Sequence, residues 1–232
     1  MLKWLGKETP FPSVDKAMIQ PNGLLAAGGD LSPERLIEAY RQGIFPWFSE
    51  GDPILWWSPD PRLVLFPEEL KVSRSLGKSL KRKDHEIRVD SAFEMVMKKC
   101  AEPRKEGGGT WISAAMIKAY CRLHEMGIAH SIETWADDRL VGGLYGIALG
   151  QVFFGESMFS RKTDASKLAF VHLVHQLKPW GFRMIDCQVK TEHLVSLGAR
   201  EIPRSDFSNK LKEWTACPGK TGKWHFDHEF PE

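Results

Sequence analysis

The chain has 232 residues, 42% of them apolar and 27% charged, with a formal net charge of +2. That composition belongs to a globular chain and excludes collagen-like, coiled-coil and disordered classes. At this length one or two domains are expected. The longest uncharged apolar stretch, Leu140–Gly155, is 16 residues with five glycines, short of the about 20 apolar residues a membrane helix needs.

Met1–Pro10 lacks the apolar run of a signal peptide. The four cysteines (Cys100, Cys121, Cys187, Cys217) form no CxxC, so neither a zinc pattern nor a disulfide framework follows. Reduced thiols in a cytoplasmic protein are expected. Residues 1–62 hold eight of the 14 prolines, and 6 bases against 8 acids. Proline fixes φ and removes a donor, so this part is expected to be loop-rich, as a small N-terminal domain spanning 1–62. Its one clear helix follows Gly28-Gly29-Asp30. Ser32 is the expected cap, Pro33 the first helical residue and Gly43 the stop. Residues 44–58 are aromatic-dense and broken by Pro and Gly, which reads as an ordered loop with a short strand. Pro59-Asp60-Pro61 is the expected hinge to a second domain, 63–232.

Lys71–Lys83 carries six bases and no acid. Such a run suits phosphates and equally suits a solvated helix face or loop. Ser91–Cys100 reads as a helix, Gly107–Gly109 as a turn, and Ser113–Met126 as a helix capped by Ser113. His130–Trp135, Leu140–Leu149 and Val152–Phe159 read as strands, the first two joined by a turn at Ala136–Arg139. Asp164 is the expected cap of a helix with Ala169, Phe170, Leu173, Val174 and Leu177 on its apolar stripe. Met184–Val189 reads as a buried strand, and Thr191 caps a short helix ending at Gly198. This order suits an α+β fold, a mixed sheet with helices on both faces.

Period-two alternation places Glu156 on one face with Phe154 and Met158, and Asp186 on one face with Gln188. A carboxylate inside the apolar strand MIDCQV needs a partner, because unpaired burial is costly. Asp186 is therefore either structural, bound to backbone or Arg, or catalytic. His225 and His228 form an HxxH without a third ligand nearby, so no metal site is expected. GxSxG, P-loop and GxGxxG motifs are absent, which argues against serine hydrolases, NTPases and dinucleotide enzymes. In an acetyltransferase of this layout, coenzyme A would need a glycine-rich turn before the Asp164 helix. The turn is Ser160-Arg161-Lys162-Thr163-Asp164, without glycine, so coenzyme A is disfavoured.

The segments PNGLLAAGGDLSPERL, GIFPWFSEGDPILWWSPDPR, GTWIS, HSIETW, GGLYGIALG, GESMFS, IDCQ and SLGAREIPR closely resemble the leucyl/phenylalanyl-tRNA–protein transferase family, from about Phe11 to Arg204. The resemblance implies an aminoacyltransferase. It moves Leu or Phe, less readily Met, from aminoacyl-tRNA to the N-terminal Lys or Arg of an acceptor protein and so marks that protein for degradation by the N-end rule. It also implies a GNAT-like (acetyltransferase-type) C-terminal domain, and no ATP, metal, coenzyme A or other cofactor. Carried onto this sequence, Trp47 and Trp111 would hold the terminal adenosine. Leu144, Met158, Phe170, Leu173 and Ile185 would line the amino-acid pocket, with Ser160 in the same substrate site. Asp186 and Gln188 would form the reaction centre with Glu156 beside them. On that role, Asp186→Asn is expected to melt close to the parent protein while losing transfer. Lys78, Lys81, Arg82 and Lys83 are expected to contact the tRNA backbone. A monomer is expected, with no membrane partner. A non-catalytic RNA-binding protein and a small-molecule N-acyltransferase are the competing readings.

Overall fold

The computed structural model describes residues 2–103 and 110–227. The expected turn at Gly107–Gly109 lies outside them. Among the described residues the strands form two sheets. The smaller contains β1 (Lys3–Leu5), β2 (Leu24–Gly28), β3 (Phe45–Pro46) and β4 (Leu55–Trp57) in the order β1-β2-β4-β3. Helix α1 (Pro33–Arg41) lies between β2 and β3 in the chain. Its Ser32 side chain makes no capping bond; instead the Asp30 carboxylate accepts the Ser32 N–H at 2.8 Å. Gly43 ends the segment at φ +73°, where a Cβ would stand 2.7 Å from the Phe207 ring, so both the backbone angle and the packing require glycine.

The larger sheet contains β5 (Arg62–Leu65), β6 (Glu86–Val89), β7 (Ala129–Ala136), β8 (Arg139–Leu149), β9 (Val152–Ser160), β10 (Met184–Gln188) and β11 (Arg200–Ile202). Their order is β11-β5-β10-β9-β8-β7-β6. Every neighbouring pair is antiparallel except β9–β10. Parallel strands need a crossover, and α5 (Ala165–Leu177) supplies it. The β7–β8 hairpin turns on Asp137 and Asp138, both at positive φ, as a tight two-residue turn demands.

Helices α3 (Phe93–Ala101) and α4 (Ala114–Glu125) join α1 and α7 (Arg204–Thr215) in one apolar core, which also takes in Leu5, Trp56 and Phe154. The opposite face carries α2 (Arg74–Leu80), α5 and the short α6 (Glu192–Ser196), with a second core around Phe153, Phe170 and Ile185. This is the mixed α/β arrangement expected from the sequence. Helix α5 departs from the expected single stripe: ten of its 13 residues are buried, because other elements cover it nearly all round.

Asp164 stands at the N-cap of α5 as expected, and its backbone oxygen accepts the Leu168 N–H at 2.8 Å, but its side chain makes no capping bond. It adopts φ +64° and its carboxylate accepts the Ser79 hydroxyl at 2.9 Å. The Ser160 hydroxyl takes over near the helix start, accepting the Ser166 N–H at 3.3 Å. Glu156 also departs from the expected alternation. The β8–β9 ladder skips it, pairing Gly146 with Gly155 and Tyr145 with Ser157, so Glu156 is the extra residue of a β-bulge. The bulge reverses the alternation. Phe154 and the partners of Glu156 lie in the α4-side core, whereas Met158 packs on the α5 side.

Candidate active site

The ladder between β9 and β10 is short. It pairs Met184 with Val152, Ile185 with Phe153 and Asp186 with Phe154. Beyond that point β9 runs on to Ser160 against β8. Strand β10 shifts register against β5 between Asp186 and Gln188, and Gln188 sits at φ +63°. The two parallel strands therefore part, and a cavity of about 460 Å³ opens between them. A cleft at the carboxyl ends of parallel strands is a common ligand position.

Among the expected substrate residues, Leu144, Met158, Phe170 and Ile185 line the cavity with Trp111 and Ser160. Glu156 and Gln188 line it as well. Leu173, Asp186 and Trp47 do not. Leu173 is buried in the core behind the wall. Trp47 is 44% exposed at the end of β3, its ring 5.6 Å from that of Trp57. The sequence reading missed Tyr145, Phe153, Cys187 and His193, which also face the cavity. Phe153 and Cys187 were readable from alternation, being neighbours of Phe154 and Asp186 on the other face. Nothing local marked His193.

Glu156 is 9% exposed. Its Oε1 accepts the Gln188 side-chain amide at 2.8 Å and its Oε2 accepts the Tyr120 hydroxyl at 3.1 Å. Tyr120 in turn shares a hydrogen bond with Tyr40. Burial pushes the Glu156 carboxyl up to about 7, against the opposing pull of these donors, and the nearby Asp186 charge pushes the same way. Burial also holds the phenols of Tyr40, Tyr120 and Tyr145 well above their ordinary value, so they stay protonated. The Cys187 thiol is likewise pushed up by burial, which leaves it a poor nucleophile.

Asp186 is fully buried and bidentate to Arg62, at 2.8 Å to Nε and 2.6 Å to Nη2. Its Oδ1 also accepts the Gln188 backbone N–H at 3.0 Å. The guanidinium lies between the Phe45 ring at 4.9 Å and the Phe207 ring at 4.6 Å. Asp186 thus has the Arg and backbone partners that a buried carboxylate in this strand was expected to need. It fixes the left-handed turn that aims Gln188 at Glu156.

Lys78, on α2, and Lys81, Arg82 and Lys83 just after it are exposed and away from the cavity. Arg82 lies 3.7 Å from Asp84. Among the described residues no group of three or more His, Cys, Asp or Glu is placed to hold a metal ion, and His228 lies outside them. No helix among the described residues is long and apolar enough to cross a membrane. A buried carboxyl poised near neutrality, an amide locked beside it and an apolar chamber next to both can bind an apolar group and move a proton at its edge.

A family model described as leucyl/phenylalanyl-tRNA protein transferase matches residues 64–212, and one described as its N-terminal domain matches residues 29–60. A leucyl/phenylalanyl-tRNA–protein transferase of Nitrosospira multiformis is 67% identical over 229 residues, covering 99% of this chain and 99% of its own. The protein of the same name from Nitrosomonas europaea is 64% identical over 231 residues, covering 100% of this chain and 98% of its own. Among solved structures, a GCN5-related N-acetyltransferase of Kribbella flavida overlaps 73% of this chain and 60% of its own length at 12% identity and a TM-score of 0.37, a likeness too slight to support any reading.

Proposed function

The chain belongs to the leucyl/phenylalanyl-tRNA–protein transferase family, enzymes that pass an aminoacyl group from tRNA to a protein, and from that premise we propose which residues carry the reaction and what they accept. The donors are Leu and Phe, with Met less readily used. The acceptor is a protein beginning with Lys or Arg, and the product is marked for degradation by the N-end rule. The enzyme works in the cytoplasm as a monomer without a cofactor.

In this reading Leu144, Met158, Phe170 and Ile185 hold the donor side chain. A chamber of branched and thioether side chains accepts both Leu and Phe, since one methylene is worth only about 1–3 kcal/mol. Trp111, with Trp47 closing from the smaller sheet, stacks the terminal adenosine, and Ser160 lies at the same mouth. Aromatic stacking contributes about 1–3 kcal/mol per base. Lys78, Lys81, Arg82 and Lys83 neutralise phosphates further along the RNA.

The acceptor α-amine, with a pKa of roughly 7.7–8, arrives partly protonated. Its ammonium meets Glu156 and the side-chain oxygen of Gln188, whose nitrogen is already engaged by Glu156. Glu156 takes one proton. The freed lone pair attacks the ester carbonyl carbon and forms the C–N bond. The C–O3′ bond then breaks, the nitrogen gives up its second proton to the departing ribose oxygen, and Glu156 returns its proton to water. Holding both substrates in one cleft lowers the barrier by pre-paid orientation. Asp186 and Arg62 touch neither substrate; they position Gln188.

The observation that carries this reading is the Glu156–Gln188 pair at the mouth of an apolar cavity. The test supplies Leu-tRNA or Phe-tRNA and an Arg-starting peptide, with and without acetyl-coenzyme A. Transfer of the aminoacyl group regardless of coenzyme A is expected. Equal transfer to peptides starting with Asp would defeat the acceptor assignment.

A further inference from the structure

The segment after α7 carries no motif, and the family match stops at residue 212. Its last described stretch is nevertheless held like core. Trp224 is 0% exposed. Its backbone N–H donates to Asp90 Oδ2 at 2.9 Å, and the same oxygen lies 2.8 Å from His130 Nδ1. The His130 ring stacks flat on the Trp224 indole at 3.7 Å. Trp180 packs against the indole edge-on, with ring centres 4.9 Å apart. Further on, the Asp227 N–H donates to Gln176 Oε1 at 3.0 Å, and the Asp227 carboxylate accepts the Trp180 indole N–H.

Phe153 and Phe182 each stand with ring centres 5.9 Å from the indole. Phe153 is a wall of the cavity. On its β8 side stands Gly146, where a Cβ would fall 2.5 Å from the Phe153 ring. The Phe153 ring is thus confined between the β8 backbone and an indole that is itself wedged among other rings. Close-packed aromatic groups have little freedom to shift.

We propose that the C-terminal segment is a specificity element of the donor site: Trp224, by backing Phe153, sets the depth of the cavity and so the size of amino-acid side chain it takes. This rests on the reading of the cavity as the aminoacyl pocket. A smaller residue at 224 leaves a void behind Phe153. The ring relaxes into that void when a large donor side chain presses on it, and the chamber deepens. Trp224 acts through Phe153, as a positioning residue.

The experiment measures kcat/KM in the full chain for Leu-tRNA, Phe-tRNA and tRNA mischarged with Trp. Trp224→Leu should raise Trp transfer relative to Leu by about tenfold, within the range expected for one or two methylenes of space. Trp224→Phe should keep the parent ratios, and Phe153→Leu should shift them as Trp224→Leu does. A merely structural Trp224 lowers all donors alike, so a folded Trp224→Leu protein with unchanged ratios overturns the proposal. If Trp224→Leu does not fold, unchanged ratios in folded Phe153→Leu overturn it equally. Leu144→Trp separates the two levels. Undiminished Phe transfer there removes the pocket assignment itself. Diminished Phe transfer with unmoved ratios in the other variants removes only the role of the C-terminal segment.

Discussion

Glu156 carries a conflict between solvation and use. Its carboxyl stands near 7 in the folded chain against an ordinary value of 4.5. Between those values the folded state holds a proton that the unfolded state has released. Stability therefore falls as pH rises through that window and stays low above it. The loss at pH 8 is about 3 kcal/mol at most. Glu156→Gln stays neutral throughout and keeps an oxygen for Tyr120 or Gln188. Its melting midpoint should drop less between pH 5 and pH 8 than that of the parent, and transfer should lose the ionisation near 7 from its pH–rate profile. An unchanged profile would take Glu156 out of the proton path. Asp186 behaves differently. With Arg62 buried against it, Asp186→Asn leaves a guanidinium short of its counter-charge, at a cost of about 3–5 kcal/mol. Differential scanning fluorimetry should show a midpoint well below the parent, contrary to the near-parent melting expected from sequence alone. The double variant Arg62→Met, Asp186→Leu removes both charges. It should regain stability, yet transfer slowly, because the Gln188 N–H has lost its acceptor.

Among the elements, α2 tests the charge run. It is anchored by Leu76 in the α5-side core, and its exposed Lys78 leads into Lys81, Arg82 and Lys83. Neutralising the four should weaken binding of every charged tRNA alike and flatten the salt dependence by roughly one in slope for each phosphate no longer neutralised. Filter binding across a salt series measures this; an unchanged slope makes the run a solvated face. The elements that were legible are those whose signal is local. Helix α4 shows its Ser113 cap and its Met116, Tyr120 and Leu123 face, and the Ser113 hydroxyl does accept the Met116 N–H. Strands β7, β8 and β9 are long and rich in β-formers. Strand β5, by contrast, is defined by pairing with β10 and β11 across more than a hundred residues, and β11, which pairs with β5, is only three residues long. Strand β6 reads EIRV, with alternate charges that suit a sheet edge and a loop equally. In the site, Leu144, Met158, Phe170 and Ile185 were named by the family resemblance, and alternation and spacing alone mark them only as apolar and fit for burial. The Glu156 bulge was not legible, since one extra residue in a ladder leaves no mark in composition, and Arg62 was hidden because its partner lies 124 positions away.

At the scale of the whole molecule, the smaller sheet and the larger one share a core. Leu5, Leu36, Tyr40 and Trp56 pack in the same cluster as Met116, Tyr120 and Phe154. The Tyr40–Tyr120 hydrogen bond and the Tyr40–Phe154 ring contact at 5.1 Å cross between them. Arg62 adds a polar tie, clasped by Phe45 of the smaller sheet and Phe207 of α7 while bound to Asp186. On the proposed roles the division into 1–62 and 63–232 is one of task, with Trp47 in the first part and Glu156 and Gln188 in the second, although the boundary falls inside β5, whose Arg62 belongs to the larger sheet. It is not a division of stability. Removing the smaller sheet together with α1, which carries Tyr40, would expose Tyr120 and Phe154 and strip the Arg62 guanidinium of one of its rings, so neither part can lose structure without the other losing core. The protein is expected to unfold in one transition, with calorimetric and van't Hoff enthalpies equal, and with Trp fluorescence and far-UV circular dichroism coinciding along a denaturant titration. Two resolved transitions, the first reporting on Trp47, Trp56 and Trp57, would show that the smaller sheet melts by itself. That outcome would leave Trp47 on a mobile part and break the proposed joint grip of Trp47 and Trp111 on the terminal adenosine.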